Sequence, residues 1–164
     1  MVMMVVMRTK DFAQRITNAA AYNWGDRLAF GKGGNAGPFQ GQGWSDSPDE
    51  HSTWTVGPEA DLLFRFVPPP SDVVLNLKVA PFVVEGIIEH QSLTVYFNYF
   101  RVAFFEIAKP TELTVYLPRE LFSLRASVLT FHIPRCHSPQ TLQRNLDVRR
   151  LGIAFGWITL IPIT

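Results

Sequence analysis

Apolar residues recur at every second position along several stretches of this chain: Val73, Leu75, Leu77 and Val79 alternate with Val74, Asn76 and Lys78, and Leu93, Val95 and Phe97 alternate with Thr94, Tyr96 and Asn98. Successive side chains leave a β-strand on opposite faces, so this spacing belongs to strands with one buried face. Residues 60–67, 101–107, 112–117 and 127–133 are rich in the aromatic and β-branched residues that strands favour, and residues 151–163 form a further apolar run. Prolines at 68–70, 110 and 134 punctuate these segments, because proline cannot donate to a ladder. No stretch of helical period separates one strand from the next, which excludes the helical crossovers of a parallel sheet. The expected fold is therefore all-β, an antiparallel β-sandwich of the jelly-roll type. Leu75, Leu77, Val95, Phe97, Val115, Leu129, Phe131 and Phe155 are expected in its core. Phe12, Ile16 and Ala20 fall at fourth positions and predict one short helix near the N-terminus, with a strand as the other reading of that extension.

A chain of 164 residues fits one domain, expected over residues 22–164 with residues 1–21 as an N-terminal extension. Hydrophobic residues make up 47% and charged ones 18%, a balance that favours a buried core over disorder for most of the chain. With 15 Lys and Arg against 14 Asp and Glu, no overall charge draws the chain to a polyanion, and nucleic acid is not an expected partner. No apolar run approaches the roughly 20 residues of a membrane-spanning helix. The opening MVMMVVM run has no basic residue before it and is followed by Arg8, Lys10 and Asp11, unlike a secretory signal, so a cytoplasmic location is favoured. The single cysteine, Cys136, excludes an intramolecular disulfide and a cysteine-rich metal site.

No enzymatic constellation stands out. Gly25 with Gly31-Lys32 fails as a phosphate loop, since Gly33 stands where a magnesium-binding hydroxyl belongs and no helix follows. His51, His90, His132 and His137 lack metal-ligand spacing. Ser138 beside His137 lies in a Ser-Pro turn, and adjacent residues of an extended chain point apart, so no nucleophile and base are paired. No motif requires a cofactor; calcium is the one ion that loop carboxylates could hold without a sequence signature, through Asp46, Asp49, Glu50 and Asp147.

Two polar segments, the glycine-dense residues 31–43 running on to Ser52 and the connection over residues 134–150, are the longest loops, and loops at one end of a rigid sandwich commonly carry function. If the terminal strands lie side by side the two segments adjoin, and Trp44, Asp46, Glu50, Asp147 and Arg149 become the expected ligand-binding residues. A flat indole suits a sugar face while the charged groups bind hydroxyls. The bland reading is that Asp147 and Arg149 only pin their loop, and that the tryptophans plug the sandwich ends, which is favoured for Trp54.

The stretch over residues 43–60, GWSDSPDEHSTWTVGPEA, resembles the opening of a galactose-binding-like jelly-roll module associated with bacterial glycosyltransferases and exopolysaccharide-assembly proteins. Residues 94–98 (TVYFN), Ser138-Pro139 and residues 147–153 (DVRRLGI) extend the likeness over about 140 residues, from Tyr22 to the end. Two positions depart from the pattern: one extra residue within residues 46–49, and Tyr99 in place of the glycine of an Asn-Gly turn. The resemblance implies a non-catalytic carbohydrate-binding or accessory module whose partner is a carbohydrate or a protein of a polysaccharide-assembly system. The other expectation is a structural subunit that docks on further chains, or on copies of itself, through sheet faces. Apolar residues on both faces of residues 103–105 and 158–161 favour such assembly.

Overall fold

Each alternating segment becomes a strand that turns its apolar set towards a second sheet. The computed structural model describes residues 19–122, 126–139, 147 and 149–163. Among them run β1 (Ala20–Ala21), β2 (Arg27–Ala29), β3 (Thr53–Val56), β4 (Glu59–Arg65), β5 (Val73–Pro81), β6 (Gln91–Phe97), β7 (Phe100–Ile107), β8 (Thr111–Leu117), β9 (Ala126–His132) and β10 (Leu151–Pro162). One sheet has the order β1-β4-β9-β6-β7 and the other β2-β10-β5-β8, with β3 also paired to β10. The only helical pieces among the described residues are short 3-10 turns at Gly37–Phe39 and Arg119–Phe122. The protein is thus an all-β, two-sheet sandwich.

All seven strands read from the sequence are present, and the eight expected core residues are at most 2% exposed. The pairing departs from strict antiparallel order at one edge, where Ala20 and Ala21 of β1 lie parallel to Phe64 and Arg65 of β4. Parallel pairing needs a crossover, and here the chain supplies one by visiting the other sheet through β2 and β3 before returning. The helix expected near the N-terminus lies outside the described residues except for its end, where Ala20 opens β1.

Strand β10 is the spine of the second sheet. One of its edges pairs with β5 along nearly its whole length; the other is shared by β3, which meets residues 151–155, and β2, which meets residues 157–159. Opposite β5, Phe155 pairs with Val79 and Trp157 with Lys78, so Gly156 is an extra residue, a β-bulge. Ile153 and Phe155 are fully buried before the bulge, Ile158 and Leu160 after it. The bulge shifts the parity of the strand and places Trp157 on its outer face.

Tyr22 closes the opposite end of the core, edge-on to Phe39, Phe64 and Phe66. Its hydroxyl donates to the Asp26 carbonyl at 2.6 Å and accepts from the Leu160 amide at 2.9 Å, tying the segment before β2 to β10. Burial pushes the phenol up to about 12, since the charged form would lose its water. A raised folded value means that the contribution to stability is complete below pH ~10 and is lost as pH rises from there towards ~12. At pH ~11 the loss amounts to about 1.4 kcal/mol. Tyr22→Phe should therefore cost about 1 kcal/mol in urea unfolding at neutral pH, where it gives up hydrogen bonds, and little or nothing at pH ~11. A gap between the two proteins that stays constant over that range would contradict this account.

Candidate functional site

The two long loops do adjoin, and Arg149 joins them. Its guanidinium holds Asp147 through Nε and Nη2, the latter at 2.6 Å, while Nη1 donates to Ser45 Oγ at 3.1 Å across the loop junction. Asp147 also accepts from the Arg149 amide at 3.0 Å. The fork holds the Asp147 carboxyl below the usual carboxylate range, and the same hydrogen bonds to Asp147, with smaller contributions from nearby negative charge, raise Arg149. The structure thus brings Asp147 and Arg149 together with Ser45, the residue before Asp46.

Trp44 belongs to the same region but packs inward. Its half-buried ring meets Phe30 at 5.1 Å, Phe155 at 5.2 Å and Phe131 at 6.3 Å, and Nε1 donates to the Asp61 carbonyl at 2.7 Å. Gly43 before it has φ +87°, and a Cβ there would lie 1.9 Å from the Glu59 carbonyl oxygen, so only glycine admits this approach. Trp54 stands half-buried between two buried threonines, edge-on to Phe82, its Nε1 donating to Asp49 Oδ2 at 3.1 Å.

The four carboxylates considered for calcium do not form a ligand set. Asp49 serves Trp54, Asp147 serves Arg149, and Glu50 lies apart from them on the rim described next; among the described residues no three of His, Cys, Asp and Glu gather as metal ligands would. Asp46 is exposed and accepts from Ser47 Oγ at 3.4 Å. His137 is exposed while Ser138 is buried, so the tempting pair faces different surroundings.

Glu50 lines a groove of about 660 Å³ on the outer face of the second sheet. Its floor is small and apolar: Ala29 of β2, Ala80 of β5, and Ala154 and Gly156 of β10. One wall is built from residues 31–34 and 50–52, which press together where β2 and β3 follow one another along β10. The Lys32 amide donates to the Asp49 carbonyl at 2.9 Å, and Thr53 Oγ1 donates to the Phe30 carbonyl. A Cβ at Gly31 would lie 2.2 Å from the Glu50 carbonyl oxygen, so glycine is required for this wall. Trp157 lines the groove, and Arg27 stacks its guanidinium 4.0 Å from the centre of that ring. Lys78 lies across the bulge, its Cγ and Cδ 3.5 Å from where a Gly156 Cβ would stand.

This groove gathers an aromatic ring, three cations, one carboxylate and an imidazole over a floor without bulk. Of the residues expected from the sequence only Glu50 lines it; Arg27, Lys78 and Trp157 were not singled out. The signal that could have found Trp157 is Gly156, a glycine inside an apolar run, which marks a bulge and hence a change of face.

No protein-family model matches the chain, and no curated protein sequence does. Solved structures with a similar sandwich include the first family 36 carbohydrate-binding module of a multidomain xylanase from the hindgut metagenome of Trinervitermes trinervoides (8% identity, 77% of this chain and 96% of that one, TM-score 0.47). A family 36 carbohydrate-binding module in complex with calcium and xylotriose gives 8% identity, 82% and 98% coverage and a TM-score of 0.47. The C-terminal family 6 module of LamC, a marine laminarinase from Zobellia galactanivorans, gives 8%, 83% and 99%, and 0.47. The chain is thus a distant structural match to carbohydrate-binding-module sandwiches, and these comparisons give no link to glycosyltransferases or exopolysaccharide assembly. Such values bear on architecture alone, and the function proposed next rests on this chain's own groove.

Proposed function

We propose that this protein is a non-catalytic carbohydrate-binding module that holds its sugar in the groove over β2, β10 and β5. The observation that carries this reading is Trp157, turned onto the outer face by the Gly156 bulge and stacked with Arg27 above a floor of alanine and glycine. A sugar needs a flat apolar surface for its C–H face and both donors and acceptors for its hydroxyls. Trp157 supplies the first, Arg27, Lys32 and Lys78 the donors, Glu50 and His51 the acceptors. A volume of about 660 Å³ is within the range of small-ligand sites. Trp44, Asp147 and Arg149 have the role of frame: the indole fills the core and the ion pair closes the loop junction.

Trp157→Ala should lower affinity for a bound glycan roughly thirtyfold, as loss of a central aromatic contact does, while the melting temperature stays within a degree or two, about what a half-exposed site costs. A glycan array followed by calorimetry on the best hit measures both. Absence of any hit for the native protein, or a hit that survives Trp157→Ala unchanged, would overturn the reading. The docking alternative has its own observation, since Phe100 and Phe104 on the edge strand β7 are 63% and 48% exposed. An oligomer by solution mass together with an empty array would favour it.

A further inference from the structure

We propose that the saccharide taken by this groove is acidic, a sugar whose carboxylate is met by Arg27, Lys32 and Lys78; the inference rests on the carbohydrate-binding reading and specifies its ligand. The chain as a whole is almost neutral, with 15 basic against 14 acidic residues, yet the groove collects three of the cations and a single carboxylate, Glu50. Charge is therefore concentrated locally where overall composition gives none. Among the described residues, none of these three cations is in an ion pair, whereas Arg149, at the loop junction, is held by Asp147 at 2.6 Å. The Arg27 guanidinium carbon lies 4.0 Å from the centre of the Trp157 ring, and such a cation–π contact does not use the N–H groups, so the fork remains available for two parallel bonds to a planar carboxylate. Lys78 lies over the bulge beside that ring, and the Lys32 backbone is pinned to Asp49, so both ammonium groups issue from fixed points on the groove's border. A neutral sugar would displace water from these cations without offering charge in return; a carboxylate replaces that water with charge-assisted bonds. Glu50 and His51 then face the hydroxyls rather than the acid group.

The test compares uronic-acid polymers of several backbones, each beside the same polymer with its carboxyl groups reduced to alcohols, and adds dextran sulfate as a polyanion of different shape. Affinity electrophoresis and calorimetry on the full chain should show the acidic member of a pair bound at least roughly tenfold tighter than its reduced form, with the preference shrinking as salt rises. Lys32→Gln with Lys78→Gln should remove most of that preference, weakening the acidic polymer far more than its reduced form, whereas Trp157→Ala should weaken both alike. Equal binding of acidic and reduced polymers, or preference for the reduced form, overturns the acidic assignment and leaves the carbohydrate reading intact. Dextran sulfate bound as tightly as the uronates also overturns it, by showing a general polyanion patch. If neither member of any pair binds while the glycan array gives a hit, the acidic assignment falls alone; if the array is empty as well, the carbohydrate reading falls and the assignment with it.

Discussion

Replacing Trp44 by alanine should cost about 3–5 kcal/mol, the range for removing a large aromatic side chain packed in a core. For a chain of this size that corresponds to a fall in melting temperature of roughly 10–15 °C. The cost has two parts. One is the space left among Phe30, Phe131 and Phe155, whose rings lie 5.1, 6.3 and 5.2 Å from the indole. The other is the Asp61 carbonyl, which loses a donor at 2.7 Å. Trp44→Phe keeps most of the ring volume and loses only the N–H, so it should cost about 1–2 kcal/mol. Both variants, assayed well below their melting temperatures, should bind glycan as the native chain does. Trp157→Ala should behave in the opposite way, losing ligand and keeping stability, and this contrast separates the frame at the loop end from the surface that binds. A Trp44→Ala protein of native stability that binds no glycan would reverse the two assignments.

Trp44 as the binding ring is the natural reading of the sequence, and the reason the structure turns that ring inward is local. A tryptophan flanked by glycine and serine in a polar segment looks exposed; it is drawn inward because Gly43 lets the backbone touch Glu59 and because Thr55 lies opposite Trp44 in a β-bridge. Long alternating segments were legible because a strand of seven or more residues repeats its pattern several times. The two to four residues of β1, β2 and β3 repeat nothing, and their existence depends on partners, β4 and β10, that are distant in the chain. The approach of the two polar loops was legible from the adjacency of terminal strands, which β2 and β10 realise. The groove was not. Arg27 reads as an ordinary surface charge until β2 is laid beside β10, and strict alternation from Phe155 would send Trp157 into the core. One glycine inserted in the ladder changes that face, and with it the ring on which the proposed site depends.

The hairpin joining β6 to β7 should show the second large effect: Asn98→Ala is expected to destabilise the protein by roughly 3–4 kcal/mol. Asn98 and Tyr99 have φ of 48° and 70°, both left-handed, as a two-residue turn between twisted antiparallel strands demands. Asparagine tolerates that conformation and alanine does not, a difference of about 1 kcal/mol. The side chain also spans the turn and the neighbouring strand. Its Oδ1 accepts from the Val128 amide at 2.9 Å, and its Nδ2 donates to the Leu121 carbonyl at 3.0 Å and Ser127 Oγ at 3.1 Å. Truncation leaves these partly buried groups short of partners, for about another 2–3 kcal/mol. Asn98→Gly separates the two contributions, because glycine accepts the backbone conformation but makes none of the bonds; it should recover only about 1 kcal/mol of the loss. The turn belongs to the sheet opposite the groove, so ligand affinity should be the same in all three proteins at a temperature where each is folded. Urea unfolding with intact slopes measures the stability difference, and a cost below about 1 kcal/mol for Asn98→Ala would mean that these bonds contribute nothing net.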